Sequence, residues 1–258
     1  MKAKTTQSIQ QPSSHQVELL INQLRLKAME KNYQQMAQLA IEQSWSYEQY
    51  LAKLCELEVA RRYQNRVQVW TKDSKLAINK SFATLDLLEL PKTVADNIVQ
   101  LKDDVSWATD AQNLLLIGPS GVGKSHIAAA LGNHLIEKGV RVKWFNATYL
   151  VQQLQQAKKE LQLMQFMSRL DRYKTLIIDD IGYVKKSDGE THVLFEFIAH
   201  RYESGSLIIT SNQPFSQWDH IFPDSMMTIA AIDRLIHHAS VIEIDTQSYR
   251  KKHHKNIR

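Results

Sequence analysis

The chain has 258 residues, 43% of them hydrophobic and 23% charged, with a formal net charge of +5. That length is enough for one sizeable core, or a core with a smaller domain beside it. Cys55 is the only cysteine, which excludes a disulfide framework. No N-terminal apolar segment and no long apolar run occurs, so the expectation is a cytoplasmic protein with no membrane partner.

All eight glycines lie between Gly118 and Gly205, and no proline falls between Pro12 and Pro91. A stretch free of both breakers reads as helical, because turns that need positive φ lack their usual residue. Val17, Leu20, Ile21, Leu24 and Met29 predict a first apolar stripe, with Ser13 and Gln16 as a capping box. A second helix is expected over Tyr33 to Gln43. A third starts near Ser46, where Ser46 and Gln49 repeat the capping pattern, and it runs through Tyr50, Leu54 and Leu57. Its continuation is basic: six Lys and Arg from Arg61 to Lys80 against Asp73 alone. Arg61, Arg62 and Arg66 are therefore candidates for phosphate contact, although a solvated helix face gives the same pattern. The expected organisation is a helical domain over 1–80, a linker and lead-in over 81–110, an α/β domain over 111–248 and a basic tail over 249–258.

Beyond Pro91 short apolar runs alternate with helical stretches: Leu114–Ile117, Val140–Phe145, Leu176–Ile178, Leu207–Ile209 and Val241–Ile244. Such alternation predicts a doubly wound, five-stranded parallel sheet with helices on both faces. Ligands in these sheets bind at the carboxyl ends of the strands.

Each of three such ends carries a motif. Gly118, Pro119, Ser120, Gly121, Val122, Gly123, Lys124 and Ser125 fit the phosphate-binding loop pattern, followed by His126 in an expected helix that Gly139 stops. Glycines let backbone N–H groups turn inward around a phosphate, and the helix N-terminus adds about half a positive charge. Lys124 reaches the β- and γ-phosphates of ATP, and the Ser125 hydroxyl suits Mg²⁺. "TLIIDD" ends a second strand in Asp179, a Mg²⁺ holder, and Asp180, which would orient or deprotonate an attacking water. "LIITSNQPF" ends a third in Asn212, placed for the water or γ-phosphate, or else for capping a helix before Pro214. "AAIDRLIHH" carries Arg234, read from the residues alone as a surface cation near Asp233 or Glu243. The pairs His237–His238 and His253–His254 would point apart on a helix, which gives no zinc site.

Taken together, GPSGVGKS, LIIDD, TSNQPF, AAIDRLIHHA, VIEID and SYR resemble the IstB family of insertion-sequence ATPases. That family sits with DnaC in the initiator and loader clade of AAA+ ATPases. The N-terminal segments "LRLKAMEKNY", "SYEQYLAKLCELEVARR" and "FATLDLLELP" extend the resemblance over nearly the whole chain. It implies ATP-bound subunits that form a homo-oligomer through their ATP sites on duplex DNA and serve a partner transposase. A DnaC-like helicase loader is the alternative. By position, Arg234 would be an arginine finger acting on the neighbouring subunit's nucleotide, and Arg250 a second arginine near it. The stretch from Asn146 to Tyr173 resembles the extra helical element of the clade, which makes Lys158 and Lys159 further DNA candidates. Two departures are plain: Asp180 stands where most AAA+ proteins carry glutamate, and 14 residues after Ile244 are too few for a helical lid. Nucleotide affinity is then expected to draw on neighbouring subunits or DNA.

Overall fold

A computed structural model of the chain describes residues 14–182, 188–214, 217–218, 225–246 and 248–249. Two compact units divide between Gln68 and Val69.

The first unit holds α1 (Ser14–Gln23), α2 (Lys27–Glu42) and most of α3 (Tyr47–Ser74). The capping box at α3 forms in full: Ser46 N donates to Gln49 Oε1 at 2.8 Å, and Gln49 N to Ser46 Oγ at 3.2 Å. Two orphan amides of the helix start are thereby satisfied. The other expected box needs Ser13, which lies outside the described residues. Helix α2 begins six residues earlier than its apolar spacing indicated, with Lys27 and Glu30 paired across its first turn at 3.0 Å. The expected first stripe divides: Leu20 and Leu24 are exposed, Val17 and Ile21 are half-buried, and Met29 falls in α2, where it is buried. Ala28, Met29 and Leu54 are the buried apolar residues of this unit. Beside them Glu58 accepts Ala28 N at 2.7 Å.

The second unit is the expected α/β domain. After a short 3₁₀ turn at Leu87–Glu89 come α4 (Lys92–Asp103) and α5 (Ser106–Thr109). Then follow β1 (Asn113–Ile117), α6 (Lys124–Glu137), β2 (Val142–Asn146), α7 (Ala147–Lys159), α8 (Leu163–Leu170) and β3 (Thr175–Asp179). The remainder is α9 (Asp188–Arg201), β4 (Ser206–Ser211), α10 (Ser225–Ile236) and β5 (Ala239–Glu243). All strand pairs are parallel, in the order β2-β3-β4-β1-β5. The central strands β1 and β4 are buried along their whole length. Alternate residues serve opposite faces. Leu115, Ile178 and Ile209 join a core built from α7, α8, α9 and α10, while Ile177 on the other side meets α6, where Gly132 leaves room for its Cδ1.

Strand β2 starts at Val142, two residues later than the apolar run. The reason is local. Gly139 (φ 84°) ends α6 in a Schellman motif, with Val140 N donating to Leu135 O at 2.9 Å and Gly139 N to Ile136 O at 3.0 Å. Val140 therefore belongs to the helix stop.

Residues 69–80 were expected with the helical domain, yet they lie in the α/β unit. Asp73 explains this. It accepts from Arg141 at 2.7 Å and Tyr173 at 3.0 Å, and Asn133 caps the following turn by donating to Lys80 O at 2.9 Å. Burial alone would raise the Asp73 carboxyl, but hydrogen bonds from Arg141 and Tyr173 and the charge of Lys143 outweigh it and hold the carboxyl below its ordinary range. A depressed carboxylate contributes stability above its unfolded value, and that contribution is lost as pH falls through the folded one. Asp73→Asn is expected to cost about 1–3 kcal/mol at neutral pH and to flatten the acid loss of stability below about pH 4. Urea unfolding at pH 7 and pH 3 checks both.

Candidate functional site

Because the sheet is parallel, the carboxyl ends of β1, β3 and β4 lie together. Ile117 pairs with Ser211, and Ile178 with Ile209. The loop after β1 turns at Gly118 (φ 153°), Gly121 (φ 88°) and Gly123 (φ 99°), and α6 begins at Lys124. The first two glycines also serve close packing. A Cβ at Gly118 would run into Ile244 O, and one at Gly121 into Ser248 Oγ. Gly118 N donates to Ser211 O at 3.2 Å and Tyr249 N to Gly121 O at 3.0 Å, so the loop is held from both sides. The buried Lys124 ammonium donates to Gly118 O at 2.7 Å and Pro119 O at 2.8 Å. The loop's own carbonyls thus keep this cation in the cradle.

Asp179 ends β3 and joins three elements. Its Oδ1 accepts from Ser125 Oγ at 2.7 Å and from Thr210 Oγ1 at 2.6 Å. Thr210 Oγ1 in turn accepts Asp180 N at 2.9 Å. Asp180 then adopts a left-handed conformation, φ 62°, which is uncommon outside glycine but tolerated by aspartate. That turn takes its carboxylate out of the strand line and into the cleft.

The cleft has a volume of about 670 Å³ and is lined by Ser120 to His126, Asp180 and Asn212. Asn212 Oδ1 is buried with no partner among the described residues. Such an orphaned acceptor costs free energy unless a ligand or water meets it. The arrangement fits nucleotide and metal: a glycine-rich loop with open space at Gly123, a buried ammonium, and a hydroxyl and carboxylate in contact as hard oxygen donors.

Two walls of this cleft escaped sequence reasoning. One is the segment read as linker, from which Thr84, Leu85, Asp86, Glu89 and Leu90 line the cavity. Thr84 Oγ1 sits 3.1 Å from His126 Nε2, and burial holds the His126 imidazole below its ordinary pKa. The other is Thr246 and Tyr249, beyond β5. Both segments of this chain therefore contribute walls to the cleft. Thr210 was also unread; its only signal was a hydroxyl residue two positions before Asn212.

The remaining candidates lie elsewhere. Arg234 is not among the cleft residues; it donates to Ala230 O at 3.1 Å and stacks on Phe195 at 5.3 Å. The ion pair with Asp233 or Glu243 is not found among the described residues. Arg250 lies outside the described residues. Arg61 and Arg62 both pair with the buried Glu58, at 3.2 and 3.0 Å, and Arg66 stacks on Tyr63. Burial alone would raise the Glu58 carboxyl; the Ala28 amide and the two guanidiniums hold it below its ordinary range. Lys158 is paired with Glu196 at 2.6 Å, whereas Lys159 is exposed. Two helices, α7 and α8, fill the long stretch between β2 and β3.

With this geometry in place, comparison with known proteins is decisive. The family described as IstB-like ATP binding protein matches residues 19–257. The chain belongs to that family. A putative insertion sequence ATP-binding protein of Sinorhizobium fredii is 40% identical over 91% of this chain and 78% of its own length. An insertion sequence putative ATP-binding protein of Geobacillus stearothermophilus is 34% identical over 89% of this chain and 91% of its own. Among solved structures, the DnaC helicase loader is similar over 65% of this chain and 98% of its own, with TM-score 0.55 and 17% identity. AMPPCP-bound DnaA of Aquifex aeolicus is similar over 70% and 55%, with TM-score 0.56 and 17% identity. At such identities the likeness is one of fold, and the fold of this IstB-family chain is that of AAA+ ATPases. No helix among the described residues is long and apolar enough to cross a membrane.

Gly121→Ala is expected to cost about 1–2 kcal/mol from the left-handed backbone, with a further loss from the clash with Ser248. ATP binding should weaken by at least about tenfold, or roughly 1.4 kcal/mol. Thermal unfolding and fluorescent-nucleotide titration check the two effects separately.

Proposed function

We propose that this protein hydrolyses ATP, that its copies assemble on duplex DNA through their nucleotide sites, and that the assembly assists a partner transposase. The observation that carries the hydrolysis is the single cleft that holds Lys124, Ser125, Asp180 and the orphaned Asn212 acceptor, with Asp179 behind it.

In this reading the Gly118–Ser125 loop and the α6 N-terminus hold the phosphates, and Lys124 exchanges loop carbonyls for β- and γ-phosphate oxygens. Ser125 and Asp179 would hold Mg²⁺, which when bound would neutralise phosphate charge. Asp180 aligns the attacking water and takes its proton, while Asn212 fixes the water or the γ-phosphate. The water oxygen bonds to the γ-phosphorus, the bond to the β-phosphate oxygen breaks, and ADP leaves. The Asp180 arm is one methylene shorter than glutamate, which favours slow turnover.

Arg234 stands outside its own cleft, which supports action on the nucleotide of an adjoining copy. A finger of this kind is worth about 10³–10⁵ in rate. Assembly then controls both hydrolysis and DNA affinity. Bending a site of 20–30 base pairs costs of order 1–6 kcal/mol, more than a few lysines on one copy sustain. Many copies, each neutralising phosphates, sustain it. Relatives named as insertion sequence proteins favour a transposase as partner. The DnaC-like fold also suits a helicase loader, but those relatives are the more similar in sequence.

Arg234→Ala is expected to lower DNA-stimulated hydrolysis by about 10³-fold or more while ATP binding stays within about twofold. Mixing it with Lys124→Ala protein should restore part of the rate, since each supplies what the other lacks. Size analysis on duplex DNA with a non-hydrolysable ATP analogue should give multi-copy complexes. A single copy at saturation would overturn the reading. DNA affinity with ATP should fall steeply as salt rises, with a slope near −0.9 per phosphate neutralised.

A further inference from the structure

Helix α10 ends at Ile236, so His237 and His238 sit in the turn before β5 and not on a helix. Adjacent side chains there need not diverge. The two rings meet edge to face with centroids 4.2 Å apart. Glu203, in the turn between α9 and β4, faces them, and its Oε1 lies 4.0 Å from His238 Nε2. One nitrogen from each ring and one Glu203 carboxylate oxygen all lie within 4.8 Å of one another. This overturns the expectation that the pair would point apart.

We infer that Glu203, His237 and His238 form a binding site for a divalent transition metal of the zinc class, distinct from the nucleotide cleft. Two imidazoles and one carboxylate are the donor set that zinc takes where it keeps an open position for water or a further ligand. Zinc bonds of about 2.0–2.2 Å put tetrahedral ligand atoms roughly 3.4 Å apart. The three side chains are exposed, so small torsions bring the donors in.

The framework around them is fixed. The Tyr202 hydroxyl lies 3.0 Å from His237 Nδ1, the kind of second contact that orients a ligand ring. His237 N donates to Asp233 O at 2.9 Å, and His238 O accepts Asn113 N at 2.7 Å.

Occupancy would staple the end of α10 to the α9–β4 turn, three residues from Arg234. Zinc binding itself does not depend on the proposed function.

The test uses the full chain, stripped with chelator and held in excess Mg²⁺ without nucleotide, titrated with Zn²⁺ against a chromophoric chelator. One Zn²⁺ per chain is expected, with a rise in Tm. Glu203→Gln and His238→Ala should each weaken binding by about tenfold or more and abolish the Tm rise. His253→Ala with His254→Ala should change neither. Unchanged affinity in Glu203→Gln, an exposed substitution that leaves the fold intact, would overturn the site. So would loss of binding in the His253, His254 variant alone.

Discussion

One carboxylate oxygen organises this molecule's chemistry. Asp179 Oδ1 accepts hydrogen bonds from the Ser125 hydroxyl at the start of α6 and from the Thr210 hydroxyl on β4. Three segments far apart in sequence are locked at one point of the sheet edge. Charge-assisted hydrogen bonds of this length are about twice as strong as neutral ones. The lock sets the start of α6 relative to β3, and hence where the phosphate-binding loop opens. It also sets Asp180, whose amide hangs on the same threonine.

The parallel register thus places the cleft residues that end β1, β3 and β4, while Arg234 lies where that register does not reach. The cleft gathers a cation, hydroxyls and carboxylates from the ends of three strands. Arg234 is held instead by its own helix and by Phe195, away from that cleft. This separation is what the proposed division of chemistry between copies rests on: under that proposal a solitary copy would lack the arginine its nucleotide needs.

The basic residues tell a less simple story than the charge count. Arg61, Arg62 and Lys158 each spend part of their charge on a glutamate within a few ångströms. Glu58 is buried, so its pairs with Arg61 and Arg62 are not the weak, fully solvated kind, whereas the Lys158–Glu196 pair is more open and contributes little to stability; a polyanion would have to displace each of these partners. Under the proposed function, affinity for DNA would depend on many such exchanges added together, which is consistent with assembly in place of a single copy.

Sequence alone determined the five strands, the phosphate loop, the adjacent aspartates and Asn212. These are local signals: apolar runs, glycines at positive φ and polar residues at strand ends, each readable in a short window. It could not determine that Thr84 to Asp86, Glu89 and Leu90 wall the cleft, that Thr210 carries Asp179 and Asp180, or that residues 69–80 join the α/β unit through Asp73. It also misjudged the first stripe, which is split because α1 ends at Gln23 and Met29 falls in α2, and the histidine pair, which the end of α10 releases from helical geometry. Those outcomes depend on which distant segments meet, a matter of strand order, packing and burial, and periodicity along one stretch of chain carries no record of its neighbours in space.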